Sequence, residues 1–314
     1  MRVLLVRLDG VGDAAVCAPL LAALRAAGHE VGVALTTRNA GIFAPSAILA
    51  EHVLERIPWP RHGSTPKSTE RARREIEDLA YDVALIASEE PEAFALAAPI
   101  ERRVGFTTGF ARPLKTLWVR ARTTSAVTRS QRIGGEDAHE VEVLYRLGKG
   151  LVSEPLAPVD VARLRRAFID VDSPRAGTGV ILQAGRKWRS LGVRDATLRA
   201  LIAGLAQFDL RVVAAPGEAE EMYEALGVRP QTYARLRDWV EALAAAAMVV
   251  TVDTGAAHVA GMLGVRVVDV FPDAHFGVQV PRWRPWAAPY RALRASQVDD
   301  GTGAALIEAV RDGF

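Results

Sequence analysis

The stretch Asp253-Thr254-Gly255-Ala256-Ala257-His258 follows a short β-branched run, Val249-Val250-Thr251-Val252. Its residue types and spacing suit a ligand seat. A strand that ends in Asp-Thr-Gly and leads into small residues, Ala256 to Leu263, turns the chain onto a helix N-terminus. Backbone N–H groups exposed there carry roughly half a positive charge and attract anions. Gly255 lets a phosphate approach the backbone closely. Thr254 adds a hydroxyl. The Asp253 carboxylate would repel phosphate, so it suits hydroxyl groups on the same ligand. A phosphate seat beside a hydroxyl reader suggests a nucleotide-sugar. Asp253 or Thr254 would equally serve as an ordinary helix cap, and the sequence leaves both readings open.

A second constellation opens the chain. Arg2-Val-Leu-Leu-Val-Arg7 has the continuous apolar character of a buried parallel strand. Leu8-Asp9-Gly10-Val11-Gly12-Asp13 follows, and then an apolar helix over about 14–27 with Val16, Leu20, Leu21 and Leu24 at helical spacing. Gly28 ends that helix, and Pro19 predicts a kink or break in its first turns. Gly10 to Ala15 fits the dinucleotide fingerprint G-x-G-x-x-A. However, the next strand ends in Thr36-Thr37-Arg38, without the acid that would hold a ribose. Asp13 would also occupy the pyrophosphate position. An acid at this turn is better placed to accept a proton or a hydroxyl hydrogen bond, or to cap the helix.

Together these ends resemble the ADP-heptose:lipopolysaccharide heptosyltransferases, glycosyltransferase family nine. The matching segments are Arg7-x-x-x-x-Gly12-Asp13 after a strand, Val180-Ile-Leu-Gln-Ala-Gly185-Arg186-Lys187-Trp188, Ala215-Pro-Gly-Glu218, and Asp253-Thr-Gly-x-x-His258. The resemblance implies two Rossmann-like α/β domains with parallel sheets facing across a cleft, the GT-B arrangement. It also implies inverting, metal-independent transfer, with an ADP-sugar as donor substrate and no cofactor. By that resemblance Asp13 is the general base and Lys187 neutralises the departing diphosphate. Glu218 holds the ribose, Asp253 the donor sugar, and Thr254, Gly255 and Ala256 the phosphates. The adenine lies near Ala234 to Leu236. The turn before Lys187 is shorter than the family's, so Arg186 is a rival for the diphosphate. Gly12, His258 and Asp273, in the turn Phe271-Pro272-Asp273, complete the donor candidates. For His258, a packed histidine bonded to a strand carbonyl is the competing reading. His139 resembles a family position with a structural role.

The acceptor implied is an anionic glycolipid of the lipopolysaccharide-core type. Arg61 and Lys67 follow the third strand, where family members contact acidic sugars. Arg120 belongs to a stretch, 102–132, with eight Lys or Arg residues and no acid, among which Leu114, Leu117, Trp118 and Val119 are interleaved. Such a stretch suits an anionic membrane surface; a solvated loop balanced by acids elsewhere is the alternative.

Composition bounds the remaining choices. The net charge of +2 over 314 residues gives no argument for nucleic acid, and the single cysteine, Cys17, excludes an internal disulfide or a cysteine metal cluster. No histidine spacing marks a metal site. Residues 2–7 are too short an apolar run for a secretory signal, and no run of about 18 apolar residues would span a membrane. The expectation is a cytoplasmic monomer with peripheral contact at the inner face of the cytoplasmic membrane. A non-catalytic nucleotide-sugar-binding relative, a family transferase with another donor or acceptor, and a Rossmann oxidoreductase using the Gly10-x-Gly12 turn remain as alternatives.

The patterning predicts strands at 2–7, 30–35, 52–57, 82–87 and 102–105, then 179–183, 210–214, 248–252 and 266–270. Helices are expected at 13–27, 68–80, 91–98, 136–149, 160–169, 194–207, 217–226, 237–246 and 255–263. Alternation of this kind gives parallel sheets covered on both faces. The expected domains are 1–170 and 171–314, linked through Asp170 to Gly179, with a last helix near 303–312 that returns to the first domain. Asp13, Lys187, Glu218 and Asp253 all follow predicted strand ends, where open parallel sheets bind ligands.

Overall fold

The computed structural model describes residues 1–57, 63–133, 136–152, 155–156, 160–170, 177 and 179–313. Most of the expected linker lies outside these residues. The chain divides into two compact units, Met1–Pro158 with Arg166–Asp170, and Val159–Arg165 with Val171–Phe314.

The first unit is built on six parallel strands: β1 (Arg2–Val6), β2 (Glu30–Thr36), β3 (Glu51–Leu54), β4 (Val83–Ile86), β5 (Arg102–Thr107) and β6 (Ser125–Thr128). Their order is β3-β2-β1-β4-β5-β6. β1 and β4 are buried on both faces, which is why they read as unbroken apolar runs. Leu4, Val6, Ala84 and Ile86 face one core with Ile76 and Leu96. Leu20, Leu21 and Leu24 are buried in the helix that follows β1. That helix is two pieces, α1 (Val11–Ala15) and α2 (Ala18–Ala26), with Pro19 in the first turn of the second. A proline there has no N–H to continue the preceding ladder, so it restarts the helix. The unit also holds α3 (Pro66–Leu79), α4 (Pro91–Ala97), α5 (Pro113–Arg120), the short antiparallel pair β7 (Arg132–Ile133) and β8 (Glu136–Asp137), and α6 (Glu140–Tyr145).

α7 (Val161–Phe168) precedes the second sheet, whose strands are β9 (Val180–Gln183), β10 (Leu210–Val213), β11 (Met248–Val252), β12 (Arg266–Phe271) and β13 (Tyr290–Arg294). All pairs are parallel, in the order β10-β9-β11-β12-β13. Helices α8 (Arg186–Ser190), α9 (Asp195–Leu205), α10 (Ala219–Leu226), α11 (Leu236–Ala244), α12 (Gly255–Met262), α13 (Phe276–Trp283), α14 (Ala295–Val298) and α15 (Ala304–Arg311) alternate with them. Val250, Val268 and Val270 pack against Leu198, Leu201 and Leu205 of α9. In the last helix, α15, Leu306 and Val310 lie in the second unit's core.

Other elements depart from the sequence expectations for local reasons. The helix expected over 136–149 is split into the β7–β8 pair, α6 and a 3₁₀ turn, Arg146–Gly148. His139 caps α6: its Nδ1 accepts from the N–H of Val141 at 3.1 Å, and Glu142 reaches back to the His139 N–H at 2.7 Å. The strand expected over 52–57 is Glu51–Leu54. β6 and β13 escaped prediction because both are short, largely exposed edge strands of mixed polarity.

Each sheet has a point where strand order reverses, between β1 and β4 in the first and between β9 and β11 in the second. Crevices outside the carboxyl ends of the strands at such points are the ligand sites of open α/β sheets. Asp13 follows β1 at the first of these points, and Lys187 and Asp253 follow β9 and β11 at the second.

Candidate functional site

In the first unit, β1 delivers Arg7 into the protein, with the residue 5% exposed. Its guanidinium donates to the carbonyl of Ala87, meets Asp13 at 2.6 Å and lies 3.1 Å from an Asp9 oxygen. Burial opposes the charge of Arg7, while Cys17 and the carboxylates of Asp9, Asp13 and Glu140 favour it, and the net effect raises its basicity. The other Asp13 oxygen accepts the N–H of Gly10 at 3.1 Å. Gly10 is therefore the N-cap of α1, and Asp13 stands in the first turn reaching back, which corrects the reading of Asp13 itself as the cap. Both oxygens are thereby oriented while the side chain stays one-third exposed. Gly12 sits beside it in the same turn.

From the neighbouring strand end, Ser88 ties the site across the reversal point. Its hydroxyl donates to Asp9 at 2.7 Å and accepts the N–H of Leu8 at 2.7 Å. Arg56 donates to the carbonyl of Leu8 at 2.9 Å and to Glu90 at 2.6 Å, and lies 3.5 Å from Glu92. Arg56, Glu90 and Glu92, with Arg38, Ile57, Gly63 and Pro91, line a cavity of about 510 Å³. Sequence reasoning passed over these four charged residues, which follow three different strands and share no motif. Of the acceptor candidates, Arg61 lies outside the described residues. Lys67, in the first turn of α3, and Arg120, at the end of α5, are exposed and are not brought into contact with Asp13.

In the second unit, Gly185 and α8 follow β9, and Lys187 reaches the next strand end. Its ammonium donates to the backbone carbonyl of Asp253 and lies 3.6 Å from the Asp253 carboxylate. The other Asp253 oxygen is 3.7 Å from Nε2 of His258. Thr254 is the N-cap of α12: its hydroxyl accepts the N–H of Ala256 at 3.3 Å and shares a 3.0 Å hydrogen bond with Thr251. Gly255 and Ala256 form the first turn. His258 is buried, with its ring 5.5 Å from that of Trp283. The cap reading and the seat reading of this segment are thus compatible: Thr254 caps, while Asp253 carries the contacts to Lys187 and His258.

Glu218, after β10, approaches the Gly185–Arg186 turn. It accepts the N–H of Arg186 at 3.3 Å, and a side chain added at Gly185 would meet its carboxylate at 2.6 Å. Glycine at 185 therefore keeps the two strand ends close. Arg186 itself is drawn aside, bonded to Glu221 at 2.6 Å. Of the two rivals, only Lys187 joins the Asp253 cluster. Trp188 anchors α8 in the core and donates to the Gln183 carbonyl at 2.8 Å. Near the expected adenine position, Trp239 donates to Gln183 Oε1 at 2.9 Å, while Arg235 pairs with Asp238. Asp273 is used otherwise: its carboxylate accepts the N–H of Ser296 at 3.0 Å and the Ser296 hydroxyl. Those bonds lower its pKa, and the structure does not bring it to Lys187 or Asp253.

The sequence reading missed Asp269. It pairs in register with Thr251 in the middle of β12 and is fully buried, with no hydrogen-bond partner for either oxygen. Its only signal was one acid within Val267-Val-Asp-Val-Phe271. Burial, and secondarily the charge of Asp253, push its pKa well above the ordinary value, with Lys187 opposing. The folded protein thus binds a proton at Asp269 that the unfolded chain releases above about pH 4. Stability from this group is full below that pH and is lost as pH rises toward the folded-state value, by up to about 1.4 kcal/mol per pH unit. Asp269→Asn should therefore gain stability relative to the parent as pH rises above about 4, measured by denaturant unfolding. Parallel pH profiles for the two proteins would contradict a protonated Asp269.

Comparison with solved structures finds the same architecture over the full chain. The E. coli heptosyltransferase WaaC with ADP matches with a TM-score of 0.75 and 20% identity, covering 100% of each chain. A glycosyltransferase of family 9 from Veillonella parvula DSM 2008 matches with a TM-score of 0.71 and 14% identity, over 99% of this chain and 96% of that one. The E. coli ADP-heptose lipopolysaccharide heptosyltransferase II matches with a TM-score of 0.69 and 16% identity, over 100% and 98%. No protein-family model matches the chain, and no curated protein does. The chain has the GT-B fold of these enzymes, an α/β fold of two parallel-sheet Rossmann-like units.

Proposed function

We propose that this protein is an inverting glycosyltransferase that moves a heptose or similar sugar from an ADP-sugar to a lipopolysaccharide-core-type acceptor, without a metal. The observation that carries the reading is the assembly of Lys187, Asp253 and Thr254 at the reversal point of the second sheet. It places a cation, a carboxylate and a helix N-terminus around one turn. These are the groups needed to hold a diphosphate and a sugar together. The ADP bound in the solved structure of a protein with this fold supports the choice of nucleotide.

In the proposed reaction Asp13 accepts the proton of an acceptor hydroxyl. The acceptor oxygen bonds to the anomeric carbon of the donor from the face opposite the diphosphate. The bond from that carbon to the phosphate oxygen breaks, and ADP leaves with the electron pair. Arg7 and the Gly10 N–H hold the Asp13 carboxylate in a fixed orientation, so no reorganisation accompanies proton transfer. Lys187 and the N–H groups of Gly255 and Ala256 stabilise the charge that develops on the diphosphate. Asp253 holds sugar hydroxyls and Glu218 the ribose.

A thermal-shift panel of ADP, UDP, GDP and NAD tests the donor assignment. Selective stabilisation by ADP is expected. Preferential stabilisation by NAD would replace transfer with redox chemistry at the Gly10-x-Gly12 turn.

A further inference from the structure

We propose that Phe110, Leu114 and Leu117, rimmed by Arg112 and Arg120, form a docking face for an anionic lipid bilayer. Phe110 is 102% exposed, Leu114 82% and Leu117 63%. Leu114 and Leu117, three residues apart in α5, share one helix face, and Phe110 stands just before them in the 3₁₀ turn Gly109–Ala111. The stripe is held outward from a fixed support. Thr116 and Val119, on the opposite side of α5, are buried. The Thr116 hydroxyl donates to the carbonyl of Gly109 at 2.8 Å and so joins the turn to the helix. Trp118 packs edge-on against Phe94 at 4.9 Å. The apolar side chains are thus presented to solvent by an anchored helix.

The structure also sorts the basic residues of this region. Arg103 is spent on the carbonyls of Ala98, Ile100 and Arg122; Lys115 pairs with Glu89; Arg129 pairs with Glu140. Arg112 and Arg120 are exposed and form no ion pair among the described residues. An apolar stripe with a cationic rim matches the interfacial region of an anionic bilayer, where acyl chains meet negative headgroups. A second copy of the chain is a poorer occupant: a two-fold contact through the same patch would bring its arginines toward their own counterparts, with no acid in the stripe to offset them.

The inference does not depend on the transfer chemistry, and its test reads binding alone. The full chain is floated with vesicles of phosphatidylcholine, with or without phosphatidylglycerol, at low and high salt. Binding to the anionic vesicles should exceed binding to the neutral ones by about tenfold and fall as salt rises. The triple variant F110S/L114S/L117S should lose about tenfold in partition at unchanged Tm, and R112E several-fold. Equal partition of the triple variant, or no preference for anionic vesicles, would overturn the proposal. So would self-association in solution that the triple variant abolishes while vesicle binding is absent.

Discussion

Asp13→Asn should lower sugar transfer by roughly 10²–10⁴-fold, the usual contribution of a positioned general base, while ADP affinity stays near that of the parent. The substitution is nearly isosteric, so the hydrogen bond from the Gly10 N–H can persist on the amide oxygen. What disappears is the capacity to take a proton from the acceptor hydroxyl. Arg7 also loses one of its two carboxylate partners, while its bond to Ala87 and its contact with Asp9 remain. The fold should survive with a modest loss of stability. The check is ADP release with a competent acceptor, measured beside ADP binding on the same preparation. Full transfer activity in the variant would remove Asp13 from the chemistry and leave it as the residue that reaches back to cap α1.

Arg7→Met should have the largest effect on stability, a loss of about 1–3 kcal/mol, because it removes a buried guanidinium from between two carboxylates that solvent reaches only in part. Methionine fills most of the volume but leaves the Asp9 and Asp13 carboxylates and the Ala87 carbonyl without their shared donor. Chemical unfolding measures the loss directly. Transfer should fall too, since Asp13 would no longer be held at a fixed angle. A loss below about 1 kcal/mol would mean that solvent replaces the guanidinium at little cost, as happens for exposed pairs.

Much of the fold was legible because β1, β4, β9 and β11 are buried on both faces and their apolar runs have no other explanation. The edge strands were not: β6 and β13 are short, mixed in polarity and largely exposed, and only neighbours distant in sequence identify them as strands. The break before α2 was foreshadowed by Pro19. At the site, the glycine-flanked acids Asp13 and Asp253 were visible as residue types at strand ends. The pairings they make were not. Arg7 was read as the end of a strand, but its role as the buried counter-ion of Asp13 depends on the turn between them. The meeting of Lys187 with Asp253 spans 66 residues, and parallel pairing of β9 with β11 is what brings them together. Pairing of β9 with β10 sets Arg186 beside Glu221 on α10, which no local pattern records. Asp269 stayed hidden for a different reason: a lone acid in an apolar strand reads as an interruption until its burial is known.

The central claim is that the turn holding Lys187, Asp253 and Thr254 seats a nucleoside diphosphate. Calorimetric titration of ADP into the parent protein, Lys187→Ala and Asp13→Asn tests it most directly. The expected result is that Lys187→Ala weakens ADP binding by about tenfold or more, the loss of one charge-assisted contact, while Asp13→Asn binds as the parent does. Unchanged ADP affinity in Lys187→Ala, or no ADP binding by the parent, would contradict the claim.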